Sequence, residues 1–384
     1  MAFKNGRYQA ARIYVDEHIV IENGIIAVEN GVIVELGEIR SPSSNVEDLG
    51  DVAIVPSLVN AHTHLEFSDL DEPIGYRGIE FTQWLKLVIE TRLRAANDVE
   101  SKSNAIRKGI DESIKAGVRA IGEIASASVR CSDYETDEAG IQVFHERLSR
   151  NGGIWPNVVQ ANSIWMNAAG SVEKSISPHA PYSVHPELLK QLVQQAVQFD
   201  CPVAMHIAET REEIELLEKQ SGPFVDFLQS IGAWYPESFQ PRFSILNYLK
   251  VLANAPRSLI VHGNYLNEEE IQFISQHSER MSVVFCPRTH EYFCHEPYPL
   301  EKLLAAGINV AIGTDSRASN PDLSIFEELK LIRRNFPRLS DHQILNLGTA
   351  NGSRALGFSR RFLATGQKSQ FIVLPINGDS KLFG

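Results

Sequence analysis

Cysteine is scarce in this sequence. Only Cys131, Cys201, Cys286 and Cys294 are present, and no two of them stand in a CxxC spacing. That excludes a disulfide framework and points to a reducing compartment. Long apolar runs are also lacking. No uninterrupted stretch could span a bilayer, and no charged start followed by an apolar segment opens the chain. No membrane association or export is therefore expected, and the cytoplasm is the expected location. Basic charge is in deficit, with 36 Lys and Arg against 48 Asp and Glu, a net charge of −12. Without a basic stripe to meet phosphates, a nucleic-acid polymer is excluded as partner. Internal repeats and low-complexity tracts are absent as well. What is there is an ordinary globular composition, 43% hydrophobic and 22% charged, with ample material for a core. A chain of 384 residues suits two average domains or one large barrel with an appendage.

The first 55 residues read as all-β. Ile19 to Leu36 is rich in β-branched residues and carries two Asn-Gly dipeptides, Asn23-Gly24 and Asn30-Gly31. Asn-Gly between short apolar runs predicts a hairpin turn, since both residues tolerate positive φ. The polar stretch from Ser41 to Gly50 is expected to be a linker. Near the other end, Phe371-Ile372-Val373-Leu374 predicts a late strand, which could join the first strands because chain ends often lie close together.

Between residues 56 and 359 apolar strand-like runs alternate with amphipathic stretches. Strands are expected at Val55–Ala61, Val118–Ile124, 141–144, 175–178, 202–205, 259–261, 281–285 and 308–312. Helical periods fall between them, for example at 81–94, 186–198 and 268–276. Eight strands alternating with helices predict an α/β fold, a (β/α)8 TIM barrel.

The barrel strands end in polar side chains. The first runs into His62-Thr63-His64, and side chains at i and i+2 of a strand share one face. Taken alone, such a pair is as compatible with an ordinary loop as with a metal. The fourth strand ends at His179, the fifth at His206 with Glu209 three residues on, the sixth at His262 and the eighth at Asp315. In a barrel these ends converge on one mouth, where barrel enzymes place their chemistry. Three imidazoles, His62, His64 and His206, with the Asp315 carboxylate suit one divalent metal ion, best Zn2+, with Fe2+ or Mn2+ as alternatives. Such a site keeps a position for water and lowers its pKa. Glu209 stands close enough to move a proton, and His262 to hold the water or polarise a leaving group. The reaction class is metal-assisted hydrolysis, with catalytic roles for Glu209 and His262.

His62-Thr63-His64 after Val59-Asn60-Ala61, His206-Ile207-Ala208-Glu209-Thr210 with Glu213, His262 after a strand, and Gly313-Thr314-Asp315 before Ala318-Ser319-Asn320 together resemble the amidohydrolase superfamily. Within it the chain is similar to the aminohydrolase and chlorohydrolase branch, which includes the S-adenosylhomocysteine and methylthioadenosine deaminases. Leu65-Glu66-Phe67-Ser68, Phe81 to Leu85 and Ser177 to Ser183 are similar to the aminofutalosine deaminases. The resemblance implies a hydrolytic deaminase that releases ammonia from an aminated purine nucleoside or related heterocycle. It implies that Glu209 passes a proton from the attacking water to a ring nitrogen, that His262 and Asp315 orient the water and help ammonia leave, and that His179 contacts substrate. It also implies a small β-sandwich from both termini, residues 1–55 and 360–384, beside a catalytic barrel at 56–359.

The chain departs from this pattern after the seventh strand, where Cys286-Pro287-Arg288-Thr289-His290 replaces the usual Cys-Pro-x-Ser-Asn. The loop from Arg288 to His295 is expected to face the barrel mouth. Arg288 and His290, together with Glu66 and Trp84, are therefore expected to select the substrate. A chlorohydrolase or alkylamine hydrolase acting on a triazine-like ring is the alternative within the branch. A binuclear cyclic-amide hydrolase would want a bridging lysine where His179 stands and a histidine where Glu209 stands. A metal-stabilised binding protein would need neither Glu209 nor His262. A homo-oligomer is left open.

Overall fold

The computed structural model describes residues 4–38, 45–95, 99–126, 129–170, 172–239, 242–359 and 362–376. Among the described residues fourteen strands fall into two sheets. The smaller holds β1 (Gly6–Tyr14), β2 (Val20–Glu29), β3 (Val32–Glu38), β4 (Glu47–Asp48), β5 (Val52–Pro56) and β14 (Phe371–Pro375). The larger holds β6 (Leu58–Thr63), β7 (Val118–Ala125), β8 (Gly140–Arg147), β9 (Glu173–Pro178), β10 (Val203–Ile207), β11 (Ser258–His262), β12 (Met281–Phe285) and β13 (Asn309–Ile312).

In the smaller sheet Asn30-Gly31 makes the expected two-residue hairpin, with φ of 50° and 75° and Glu29 paired to Val32. Asn23-Gly24 does not turn. It lies inside β2, where Gly24 pairs with Ala10 on one side and Glu38 on the other. Close packing explains the glycine: a Cβ there would meet the Cδ1 of Ile13 at 2.7 Å. The expected linker is in part structured, since Glu47–Asp48 pairs with β1; its segment 41–44 lies outside the described residues. The late strand joins this sheet as expected, with β14 antiparallel to β5. Sequence ends are thus brought into one sheet, over a cluster that includes Tyr8, Ile13, Ile26, Ile54 and Phe371.

The larger sheet is the barrel. Its strands are hydrogen-bonded in chain order from β6 to β13, all parallel. A bridge between Thr63 and Asp315 brings the last strand back to the first. The ring is zipped there by the N–H groups of Thr314 and Asp315, which donate to the carbonyl of His62 at 3.1 and 3.0 Å. Ile124 of β7 and Val261 of β11 belong to one buried cluster. Residues on opposite sides of the ring can meet only in the lumen, so the barrel is a packed core rather than a pore. Ala355 and Leu356, from the helix Ala350–Leu356, join that cluster. A second, larger cluster lies between strands and surrounding helices, which reproduces the two-layer logic of the fold. Among the described residues no helix is long and apolar enough to cross a membrane.

Candidate active site

Four strand ends supply the centre. His62 lies at the end of β6, where the pairing register shifts, and His64 stands just beyond it. Their ring centroids are 5.0 Å apart, and His206 of β10 lies 5.0 Å from His62 and 5.5 Å from His64. One nitrogen from each of the three falls within 4.8 Å of the others. Asp315 closes the group: its Oδ1 is 3.6 Å from the Nε2 of both His62 and His64.

Both ring nitrogens of His62 and the Nδ1 of His64 are buried with no hydrogen-bond partner. An unpartnered buried polar atom costs about 1–3 kcal/mol, so such atoms require an explanation. A divalent cation taking one lone pair from each ring would account for one nitrogen of His62 and one of His64, and the donor set suits Zn2+, Fe2+ or Mn2+. His206 is pre-oriented to join them, because its Nδ1 donates to the carbonyl of His179 at 2.8 Å, which leaves Nε2 bare. Burial, with the neighbouring His62 and His179, lowers the His206 pKa to about 3. Burial and His62 likewise hold His64 well below its ordinary value. Both rings are therefore neutral, the form in which an imidazole can bind a cation. Burial works against the charge of Asp315, but the neighbouring imidazole of His62, then those of His64 and His262, keep its carboxyl below the usual range.

Beside this group, Glu209 Oε1 lies 3.4 Å from His262 Nε2. The turn that carries Glu209 is held from several sides. Its N–H donates to Glu213 Oε2 at 2.9 Å, and Asn264 Nδ2 donates to its carbonyl at 2.9 Å. Thr210 Oγ1 caps the following helix by accepting the N–H of Glu213. Burial pushes the Glu209 carboxyl well up, and the charges of Asp315 and Glu213 add to that. A carboxyl raised in this way holds a proton more readily than a free one. Three residues at these ends, Ala208, His262 and Asp315, have φ of 51°, 69° and 54°. Left-handed backbone at non-glycine residues costs of order 1–3 kcal/mol and clusters at functional sites.

His64, His206, Glu209, His262 and Asp315 line one pocket, and so do His179 and Trp84 among the residues expected to select substrate. His179 Nδ1 is 2.6 Å from Ser183 Oγ, and Trp84 Nε1 donates to the carbonyl of Ala318. The other three expected residues do not line this pocket. Glu66 is buried behind it, its carboxylate taken by Arg92 at 2.7 Å and Ser126 at 2.9 Å. Arg288 turns away into Glu328 and Asp322, at 2.7 and 2.6 Å. His290 packs against Phe285, His295 and Tyr298. The Arg288–His295 segment reaches the pocket wall through Phe293 instead, whose ring packs on Phe81 and Trp84 at 5.2 and 5.1 Å. Sequence reasoning missed Arg92, Glu146 and Tyr182, which also line the pocket. Glu146 carried the strand-end polar signal used for the other strands; the expected third strand stopped at residue 144, two residues short of it.

An eight-stranded parallel barrel with neutral imidazoles and carboxylates converging at its carboxyl end defines a metal-dependent barrel hydrolase. The chain belongs to the amidohydrolase family, whose model matches residues 53–381. It is 27% identical to the 5-methylthioadenosine/S-adenosylhomocysteine deaminase of Pyrococcus furiosus, covering 100% of this chain and 90% of the relative. It is 25% identical to the adenosine deaminase of Helicobacter pylori, over 90% of this chain and 85% of the relative. Among solved structures, the Helicobacter pylori aminofutalosine deaminase in complex with methylthio-coformycin superposes with a TM-score of 0.80. It shares 22% identity and covers 97% of this chain and 92% of its own. The zinc complex of atrazine chlorohydrolase from Arthrobacter aurescens superposes with a TM-score of 0.72 at 16% identity, over 97% and 87%.

Proposed function

We propose that this protein is a hydrolytic deaminase that releases ammonia from an aminated purine nucleoside. The observation that carries this reading is the contact of Glu209 with His262, 3.4 Å apart at the edge of the three-imidazole group. Hydrolysis of a cyclic amidine needs one group to move a proton from water to a ring nitrogen and a second to polarise the attacked carbon's substituents. The names of the deaminase relatives support the substrate class.

In this reading His62, His64, His206 and Asp315 hold one metal ion, best Zn2+. A cation held there would lower the pKa of the attacking water. Glu209 takes the proton of that water and delivers it to the ring nitrogen. His262 and Asp315 orient the water and assist departure of ammonia. His179 contacts the substrate, and Trp84 offers a flat apolar face to its ring. The retained buried thiols Cys131, Cys201 and Cys286, with Cys294 exposed and all four free, support a cytoplasmic setting. Likeness to the chlorohydrolase is one of fold, so a triazine substrate is the weaker reading. The test is an ammonia-release screen of the zinc-loaded protein over adenosine-type nucleosides, guanine, cytosine and aminotriazines. Turnover confined to aminotriazines would sink the proposal.

A further inference from the structure

Tyr298 stands outside the pocket, yet its hydroxyl donates to the main chain of a residue that lines it. The acceptor is the carbonyl of His262, at 2.9 Å. A carbonyl can only accept, so the direction of this bond is settled. Tyr298 is buried, and a phenylalanine would fill the same space. The hydroxyl is the part that packing leaves unexplained.

The backbone of His262 is strained and must be held. Its φ is 69°, and the N–H of Gly263 donates back to the carbonyl of Val261 at 3.2 Å. A bond that spans a single residue with positive φ makes a γ-turn of the rarer, strained hand. A non-glycine residue stays in such a conformation only where its surroundings over-determine it. On one side the turn is tied to the end of β10. The N–H groups of Gly263 and Tyr265 donate to the carbonyls of Ile207 and Ala208 at 2.9 and 3.1 Å, and Asn264 Nδ2 donates to the carbonyl of Glu209 at 2.9 Å. On the other side, pairing with β12 stops at Val261, and β12 runs on into Cys286 and Pro287, whose nitrogen carries no hydrogen.

The Tyr298 hydroxyl reaches the turn from that second side. Its ring lies flat on Phe285, with centroids 3.6 Å apart and planes at 9°, and meets His290 edge-on at 5.6 Å. Phe285 ends β12, and its carbonyl accepts the N–H of Gly313 at 2.9 Å. The platform under Tyr298 is therefore the barrel wall, which fixes where the hydroxyl points.

Resting on the deaminase reading above, we infer that Tyr298 is a positioning residue for that reaction: its hydroxyl holds the His262 turn from the β12 side and keeps the imidazole against Glu209, 3.4 Å away. It acts through His262 and touches no substrate. His290, at the edge of the Tyr298 ring, contributes through that ring in the same way.

Tyr298→Phe removes one oxygen and keeps the ring. Kinetics with adenosine and 5′-methylthioadenosine, metal content and crystal structures, each for the zinc-loaded wild type and variant, test the inference. The variant is expected to keep its metal and to hold KM within about twofold, since no substrate contact is lost. Its kcat is expected to fall roughly tenfold, as for a catalytic group set slightly out of place. In the crystal the His262 ring is expected to have moved from Glu209. A purely structural hydroxyl would lower the melting temperature and leave kcat per metal-loaded chain unchanged, and that result would overturn the inference. So would a variant that does not fold, one that loses its metal, or one altered in KM alone. A wild type that deaminates neither nucleoside would count against the deaminase reading, and the two crystal structures would then decide the positioning. A displaced His262 would support it, and an unmoved one would overturn it.

Discussion

Gly313 stands against His62 with no room for a side chain. A Cβ on residue 313 would lie 2.7 Å from the Cβ and the carbonyl oxygen of His62, and 3.0 Å from its nitrogen. The obstacle is backbone, so no rotamer change relieves it. The approach lets the segment after β13 hydrogen-bond to His62 and carry Asp315 to the imidazoles. Gly313→Ala is expected to separate the two. Displacement of about 1 Å at a catalytic constellation can cost roughly a hundredfold in rate. Metal content and kcat measured together check this; full metal occupancy with unchanged turnover would refute it.

Glu209→Gln removes the proposed proton carrier and leaves in place the four residues proposed to hold the metal. It is expected to keep its metal and lose about 10²–10⁴-fold in kcat, the usual contribution of a positioned acid–base group. Near-normal turnover of a metal-replete variant would show that Glu209 is not the shuttle.

Metal analysis is expected to give one ion per chain, and chelation to abolish activity and lower the melting temperature. A cation that binds only the folded state stabilises it by mass action. The same removal should lose its effect on melting in His206→Ala. Two ions per chain would overturn the mononuclear assignment.

The buried carboxyl of Glu213 gives a pH dependence of stability. Burial raises its pKa to about 8, against the opposing hydrogen bonds from the N–H groups of Glu209, Ala208 and Thr210. A folded-state pKa above the unfolded one means the native state binds more protons between the two. Stability from this group is full below about pH 4.5 and is lost as pH rises towards about 8. Glu213→Gln stays neutral and can still accept the Glu209 N–H, so its unfolding midpoint should depend less on pH across that window. An unchanged slope in urea titrations from pH 5 to 8 (roughly the range in which linkage acts) would exclude the effect.

Arg288 offers a test that separates stability from specificity. Glu328 is fully buried, and Asn320 shares its Oε1, donating also to the carbonyl of Thr314 beside Asp315. Removing the arginine leaves that carboxylate uncompensated, which for a buried pair costs about 3–5 kcal/mol. Arg288→Ala should therefore lower the unfolding free energy by an amount of that order and leave KM for good substrates little changed in the folded fraction. A large KM increase without destabilisation would restore Arg288 to the substrate.

Much of the fold and site was legible in the residues because five of the barrel strands are short apolar runs that end in a polar side chain. His62, His64, His206, Glu209, His262 and Asp315 are drawn together by that rule, and the late strand reached β5 as expected. The rule fails where a partner is remote. Arg288 shows its charge in the sequence, but Asp322 and Glu328 stand 34 and 40 residues away. Asn23-Gly24 shows turn chemistry, but the packing of Ile13 that demands a glycine there is invisible locally. Arg92 reads as one more polar residue of an amphipathic helix until Glu66 and Glu146 are placed around it.

β5 and β6 are separated by Ser57 alone, and β5 finds its antiparallel partner in β14. Thr63, between the first two imidazoles, is bridged to Asp315 across 252 residues of chain. During synthesis His62 and His64 therefore leave the ribosome long before the residues that complete their surroundings. At about 5–20 residues per second the wait for Asp315 is roughly 15–50 s. Two bare histidines make a weak and unselective cation trap for that interval. The four residues proposed to hold a cation are therefore together only once the chain has grown past Asp315.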